Sequence, residues 1–76
     1  MGALRETFGR NLRKARLASG HSQESLAAAT KIDRTYISGI ERGVRNPSLD
    51  RIERLAEALG VDAGVLVGRG ETSAAT

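Results

Sequence analysis

The stretch that decides the fold reads Ser22-Gln23-Glu24-Ser25-Leu26-Ala27-Ala28-Ala29-Thr30-Lys31-Ile32-Asp33-Arg34-Thr35-Tyr36-Ile37-Ser38-Gly39-Ile40-Glu41-Arg42-Gly43. Ser22 is a good helix N-cap, because its hydroxyl can accept a hydrogen bond from a backbone N–H in the first turn. The helix it opens carries Leu26, Ala27 and Ala29 on its apolar side. After the short interval Thr30-Lys31-Ile32, Asp33 is a second cap of the same kind. Ile37 and Ile40 then lie three apart, which sets the inward face of the next helix. Gly43 supplies its stop. The spacing predicts two short helices joined by a tight turn.

The flanking sequence adds three more helices. Upstream, Leu4, Phe8, Leu12 and Ala15 recur at spacings of four and three, one face of a helix that Gly20 ends. His21 lies between that stop and the Ser22 cap. Downstream, Val44 to Pro47 form a loop, since the residue before a proline avoids helical geometry. Ser48 caps a fourth helix, and Asp50 falls in its first turn, where the helix dipole favours an anion. The apolar stripe of this helix is Leu49, Ile52, Leu55, Ala56 and Leu59, and Gly60 ends it. Asp62 caps a short last helix with Val65 and Leu66 turned inward. From Gly68 onward no apolar period remains. Residues 1–67 are therefore predicted as one all-α domain of five helices, and residues 68–76 as a disordered tail.

Composition excludes several classes of function. The chain has 76 residues and no cysteine, so neither a disulfide, a cysteine zinc finger nor a thiol nucleophile is available. One histidine leaves few soft ligands for a transition metal, and neither a metal nor a cofactor is expected. Phe8 and Tyr36 are the only aromatic residues, too few for a platform that stacks single-stranded bases. No apolar run approaches the roughly 18 residues of a membrane span. The N-terminal residues lack the apolar core of an export signal, so the cytoplasm is the expected compartment. A phosphate-cradling glycine loop is absent, and His21 has no nucleophile at a motif spacing, so an enzyme is not expected.

Charge is unevenly distributed. Residues 1–46 carry nine basic and four acidic side chains, whereas residues 47–76 carry three basic and five acidic ones. A basic half joined to an acidic half suggests that the first half faces a polyanion. Two capped helices with so short a connection form a helix-turn-helix, whose second helix enters the DNA major groove. With Ile37 and Ile40 inward, Arg34, Thr35 and Ser38 lie outward, and Gly39 and Arg42 lie near them. Arg34 offers a bidentate donor for guanine, Thr35 a hydroxyl and methyl for adenine or thymine, and Ser38 a small hydroxyl. Gly39 is expected to let this helix approach DNA or another backbone closely.

These residues, with Arg45-Asn46-Pro47-Ser48-Leu49 after them, resemble the Cro/C1-type helix-turn-helix family, also called the Xre family, over about residues 4–67. They are similar in particular to the controller proteins of restriction–modification systems. The resemblance implies a lambda-repressor-like domain that regulates transcription. It gives Arg34, Thr35 and Ser38 base-reading positions, and Tyr36 a contact to a phosphate or a thymine methyl. It gives Gln23, Arg42, Arg45 and Asn46 contacts to the DNA backbone, and Arg16 and Glu41 a buried ion pair. It also marks departures. Many relatives carry Glu at the position of Ser25, completing a reciprocal capping box with the serine cap, so that bond is expected to be lost here. His21 stands where an apolar residue is common. No effector or oligomerisation domain is expected after the helix-turn-helix.

One recognition helix reads only about four base pairs, each good contact contributing roughly 1–3 kcal/mol. A homodimer on a palindromic operator is therefore expected. Val65, Leu66 and Val67 are its expected interface, because one small domain can bury only one side of its last helix. RNA polymerase is a candidate partner at the promoter. The alternative reading is an antitoxin-like or coactivator-like protein-interaction module of the same fold.

Overall fold

The first helix shows how the core is assembled. In the computed structural model, which describes residues 3–68, α1 spans Ala3–Ala18 and buries Phe8, Gly9, Leu12 and Arg16. The predicted face holds at Phe8 and Leu12, while Ala15 is half-buried. It fails at Leu4, which is 62% exposed. Leu4 lies in the first turn of α1, before the buried residues of the helix begin at Phe8.

Four helices follow: α2 (Gln23–Thr30), α3 (Arg34–Glu41), α4 (Leu49–Leu59) and α5 (Ala63–Val67). No strand occurs among the described residues. The helix α1 packs on α3 and α5, α2 packs on α3 and α4, and α4 packs on α5. One core results, from Phe8, Leu12, Leu26, Ile32, Ile37, Ile40, Leu55, Ala56, Leu59 and Leu66. It is aliphatic apart from Phe8, as the shortage of aromatic residues requires.

Local chemistry sets the helix ends. The Ser48 hydroxyl accepts from Arg51 N–H at 3.2 Å, and an Asp33 carboxylate oxygen accepts from Thr35 N–H at 3.0 Å. Gly20, Gly43 and Gly60, the three expected stops, all have positive φ. The turn between α2 and α3 reaches the same left-handed geometry without glycine, at Lys31 with φ 61°. Beside it, the buried Thr30 hydroxyl donates to Leu26 O at 2.8 Å and accepts from Ile32 N–H at 3.3 Å. The turn is thus closed by its own polar groups.

Three expectations near the ends of α4 and α5 are corrected. Leu49 is 82% exposed, because it is the first residue of α4 and the packed stripe starts one turn later at Ile52. Asp62 precedes α5 but makes no side-chain capping bond. Val65 points outward, 55% exposed, whereas Leu66 is fully buried. The tail expected over 68–76 lies outside the described residues from Arg69 on. Gly68 itself belongs to the fold: its N–H donates to Gly64 O at 2.9 Å, and the Asn11 amide donates to its carbonyl at 2.6 Å.

Candidate nucleic-acid interface

The two helices of the motif are locked at their start by a polar network. Ser22 Oγ accepts from Ser25 N–H at 3.0 Å, and Ser25 Oγ accepts from Ser22 N–H at 3.1 Å. The reciprocal capping box expected to be missing is therefore complete. Serine is shorter than glutamate, but its hydroxyl sits close enough to the cap backbone to accept directly. His21 Nδ1 lies 2.6 Å from the same Ser25 hydroxyl, which gives the polar residue at this position a local partner.

Behind the cap lies the ion pair that the resemblance implied. Arg16 Nε donates to Glu41 Oε2 at 2.6 Å and Nη2 donates to Oε1 at 3.0 Å. Its third arm, Nη1, donates to the His21 carbonyl at 3.0 Å. One side chain of α1 thereby fixes both the end of α3 and the entry to α2. Donation of these hydrogen bonds to Glu41 is the main reason that the Arg16 pKa lies above its ordinary value; burial opposes it and the charge of Glu41 adds to it. The Gln23 amide donates to Glu41 Oε1 at 3.1 Å, so this half-buried residue completes the shell of the pair.

On α3, Arg34 and Thr35 are exposed and Ser38 is half-buried. Gly39 differs from expectation. It is buried, and a Cβ built there would meet Cγ of Arg45 at 2.5 Å. The N–H groups of Val44 and Arg45 also donate to Gly39 O, at 3.0 and 3.2 Å. The close approach that Gly39 permits is that of the protein's own following loop.

Tyr36 ties this loop down. Its hydroxyl donates to the Asn46 carbonyl at 2.7 Å. The Arg45 guanidinium lies 5.7 Å from the ring centre and that of Arg51 lies 4.5 Å from it. Contacts of this kind contribute about 0.5–1 kcal/mol at exposed sites. Arg42, Arg45 and Asn46 are all exposed beside the end of α3. The sequence does not mark Arg51, since a contact between α3 and the first turn of α4 leaves no local periodic signal.

The predicted interface segment separates into two parts. Leu66 belongs to the core of its own chain and is not available to a partner. Val65 and Val67, 55% and 40% exposed, remain on the outside of α5.

Comparison with known proteins agrees with this fold. The model of a helix-turn-helix family matches residues 12–66. The control protein C.BamHI of Bacillus amyloliquefaciens is 54% identical over 59 residues, 76% of this chain and 73% of that protein. The crystal structure of the restriction-modification controller protein C.AhdI from Aeromonas hydrophila superposes with a TM-score of 0.81 at 47% identity, covering 84% of this chain and 97% of that one. A similar fold, with a TM-score of 0.75 at 40% identity over 83% of each chain, occurs in the restriction-modification controller protein C.Esp1396I, crystallised as a tetramer with its natural 35 base-pair operator.

Proposed function

Because the chain belongs to this helix-turn-helix family, we propose that it is a transcriptional regulator that binds a palindromic operator in double-stranded DNA as a homodimer. The observation that carries the reading is the outer side of α3. Arg34 and Thr35 are exposed at its N-terminal end, with Arg42, Arg45 and Asn46 exposed at the other. An α-helix so flanked fits the major groove, base-reading side chains first and cations along the rims.

Arg34 reads a guanine through a two-pronged donor pair, and Thr35 and Ser38 read neighbouring bases. Tyr36 stands beside them, with its hydroxyl engaged on the loop. Gln23, Arg42, Arg45 and Asn46 hold the phosphodiester backbone and set the register of the helix. Two copies joined through the outer side of α5, at Val65 and Val67, place two such helices about one helical turn apart, roughly 34 Å. The similarity to controller proteins, one of them bound to an operator as a tetramer, supports occupancy by paired copies. Occupancy over a promoter excludes RNA polymerase, and occupancy just upstream recruits it. No described helix is long and apolar enough to cross a membrane, and we assign the protein to the cytoplasm, where its DNA lies. The DNA-binding unit in this reading is the domain expected over residues 1–67, and Gly68 packs with it.

Selection of bound duplexes from a random pool tests the proposal. Recovery of an inverted repeat gives the bases read, the half-site spacing and the dimer together. A pool that returns no common sequence removes it.

A further inference from the structure

Arg51 stands on α4, outside the helix-turn-helix, yet its guanidinium reaches α3 to lie 4.5 Å from the centre of the Tyr36 ring. Arg45 approaches the same ring. The ring is a fixed platform: Tyr36 packs against the core and its hydroxyl is held by Asn46. Two like charges drawn to one ring repel each other. Among the described residues the ion pairs are Arg16–Glu41 and Arg54–Asp50, so neither guanidinium at the ring is paired with a carboxylate. Asp50, the residue beside Arg51, is turned to Arg54 at 3.5 Å. Uncompensated cations assembled beside α3 make a seat that an external polyanion completes.

The chemistry of arginine suits this seat. A guanidinium stacked on an aromatic face keeps its in-plane N–H donors free, and those donors match two oxygens of a phosphate. Contact with the ring therefore restricts where the donors sit before any ligand arrives.

We propose that Arg51 contacts the phosphodiester backbone of the operator beside Arg45, with Tyr36 orienting both guanidinium groups. The inference rests on the DNA-binding reading and extends the contact surface from the motif to α4.

Salt dependence of binding tests it, using the full chain and a duplex recovered by selection, between about 50 and 200 mM salt. In Arg51→Gln, the slope of log affinity against log salt should become shallower by about 0.9 for each lost contact, about 1.8 for a dimer. The selected sequence should stay as in the parent chain, and the melting temperature should fall by only a few degrees as the ring contact is lost. Arg51→Lys, which keeps the charge, should keep the parent slope. An Arg51→Gln slope equal to that of the parent overturns the inference and leaves the DNA-binding reading intact. A parent chain that binds no duplex overturns both.

Discussion

Arg16 and Glu41 are joined by two parallel hydrogen bonds, from Nε at 2.6 Å and from Nη2 at 3.0 Å, across the packing of α1 on α3. The pair is nearly inaccessible, and no buried polar side-chain atom among the described residues lacks a partner. Removing one member leaves the other charged and buried. Arg16→Ala and Glu41→Ala should each lose about 3–5 kcal/mol in urea unfolding, while the apolar pair Arg16→Met with Glu41→Leu should recover much of it. A loss below about 1 kcal/mol from either single change would mean that the pair behaves as a surface bridge. Because the Arg16 pKa is raised on folding, its contribution is complete below the unfolded value and declines only as pH rises through the folded one. The arginine side of the pair should therefore weaken only in strong alkali.

Gly9 marks the tightest point of the same contact. A Cβ added there would strike the carbonyl oxygen of Ile40 and lie 2.8 Å from that of Glu41. Both are backbone atoms of α3 and cannot swing aside. Alanine gains about 1 kcal/mol of helix propensity over glycine, but overpacking costs about 1–3 kcal/mol. Gly9→Ala should thus be net destabilising in thermal melts, against the usual trend for a glycine inside a helix. Unchanged or increased stability would show that α1 can back away from α3.

The capping box predicts different outcomes for two changes at one residue. Ser25→Ala removes the acceptor of the Ser22 N–H and the partner of His21, and should cost about 1 kcal/mol. Ser25→Glu restores the longer form of the box and should be close to neutral. Chemical denaturation of both variants decides this, and equal losses would show that the hydroxyl bonds contribute little.

Adjacent residues of α5 should separate folding from the proposed assembly. Leu66 is fully buried and Val65 is 55% exposed. Leu66→Ala should therefore lower stability by about 2–5 kcal/mol. Val65→Asp and Val67→Asp should leave the monomer's unfolding nearly unchanged and shift sedimentation toward the monomer. Dimers that survive both substitutions would place the two-fold contact elsewhere.

What the sequence made legible was what local chemistry decides. Ser22, Asp33 and Ser48 were readable as caps because a hydroxyl or carboxylate acts within three residues of its own position. The stops at Gly20, Gly43 and Gly60 were readable because left-handed backbone favours glycine. Ile37 and Ile40 fixed the outward side of α3 by periodicity alone. Contacts across the fold were not readable in that way. Gly9 looks like any weak helix position until α3 is laid on it. Periodicity places Gly39 toward the outward side, since nothing local says that Arg45 folds back over it. Leu4 and Leu49 fit their stripes, but each falls in a first helical turn with no neighbour. Arg16 and Glu41 stand 25 residues apart, and only resemblance joined them.

Two arginines on the same side of the molecule should fail in different ways. Arg34 is exposed at the start of α3, free to reach base edges, whereas Arg45 lies along Gly39 and against Tyr36 on the loop. A bidentate base contact discriminates by about 1–3 kcal/mol. Arg34→Ala should therefore weaken the selected operator by that amount and relax preference at one base of each half-site. Arg45→Ala should weaken every duplex alike and make the salt slope shallower by about one contact per subunit. Competition titrations with single-base variants of the operator read both effects at once. If Arg45→Ala instead abolished preference at one base, that guanidinium would be a reader rather than a backbone clamp. The loop would then rank with α3 in setting specificity.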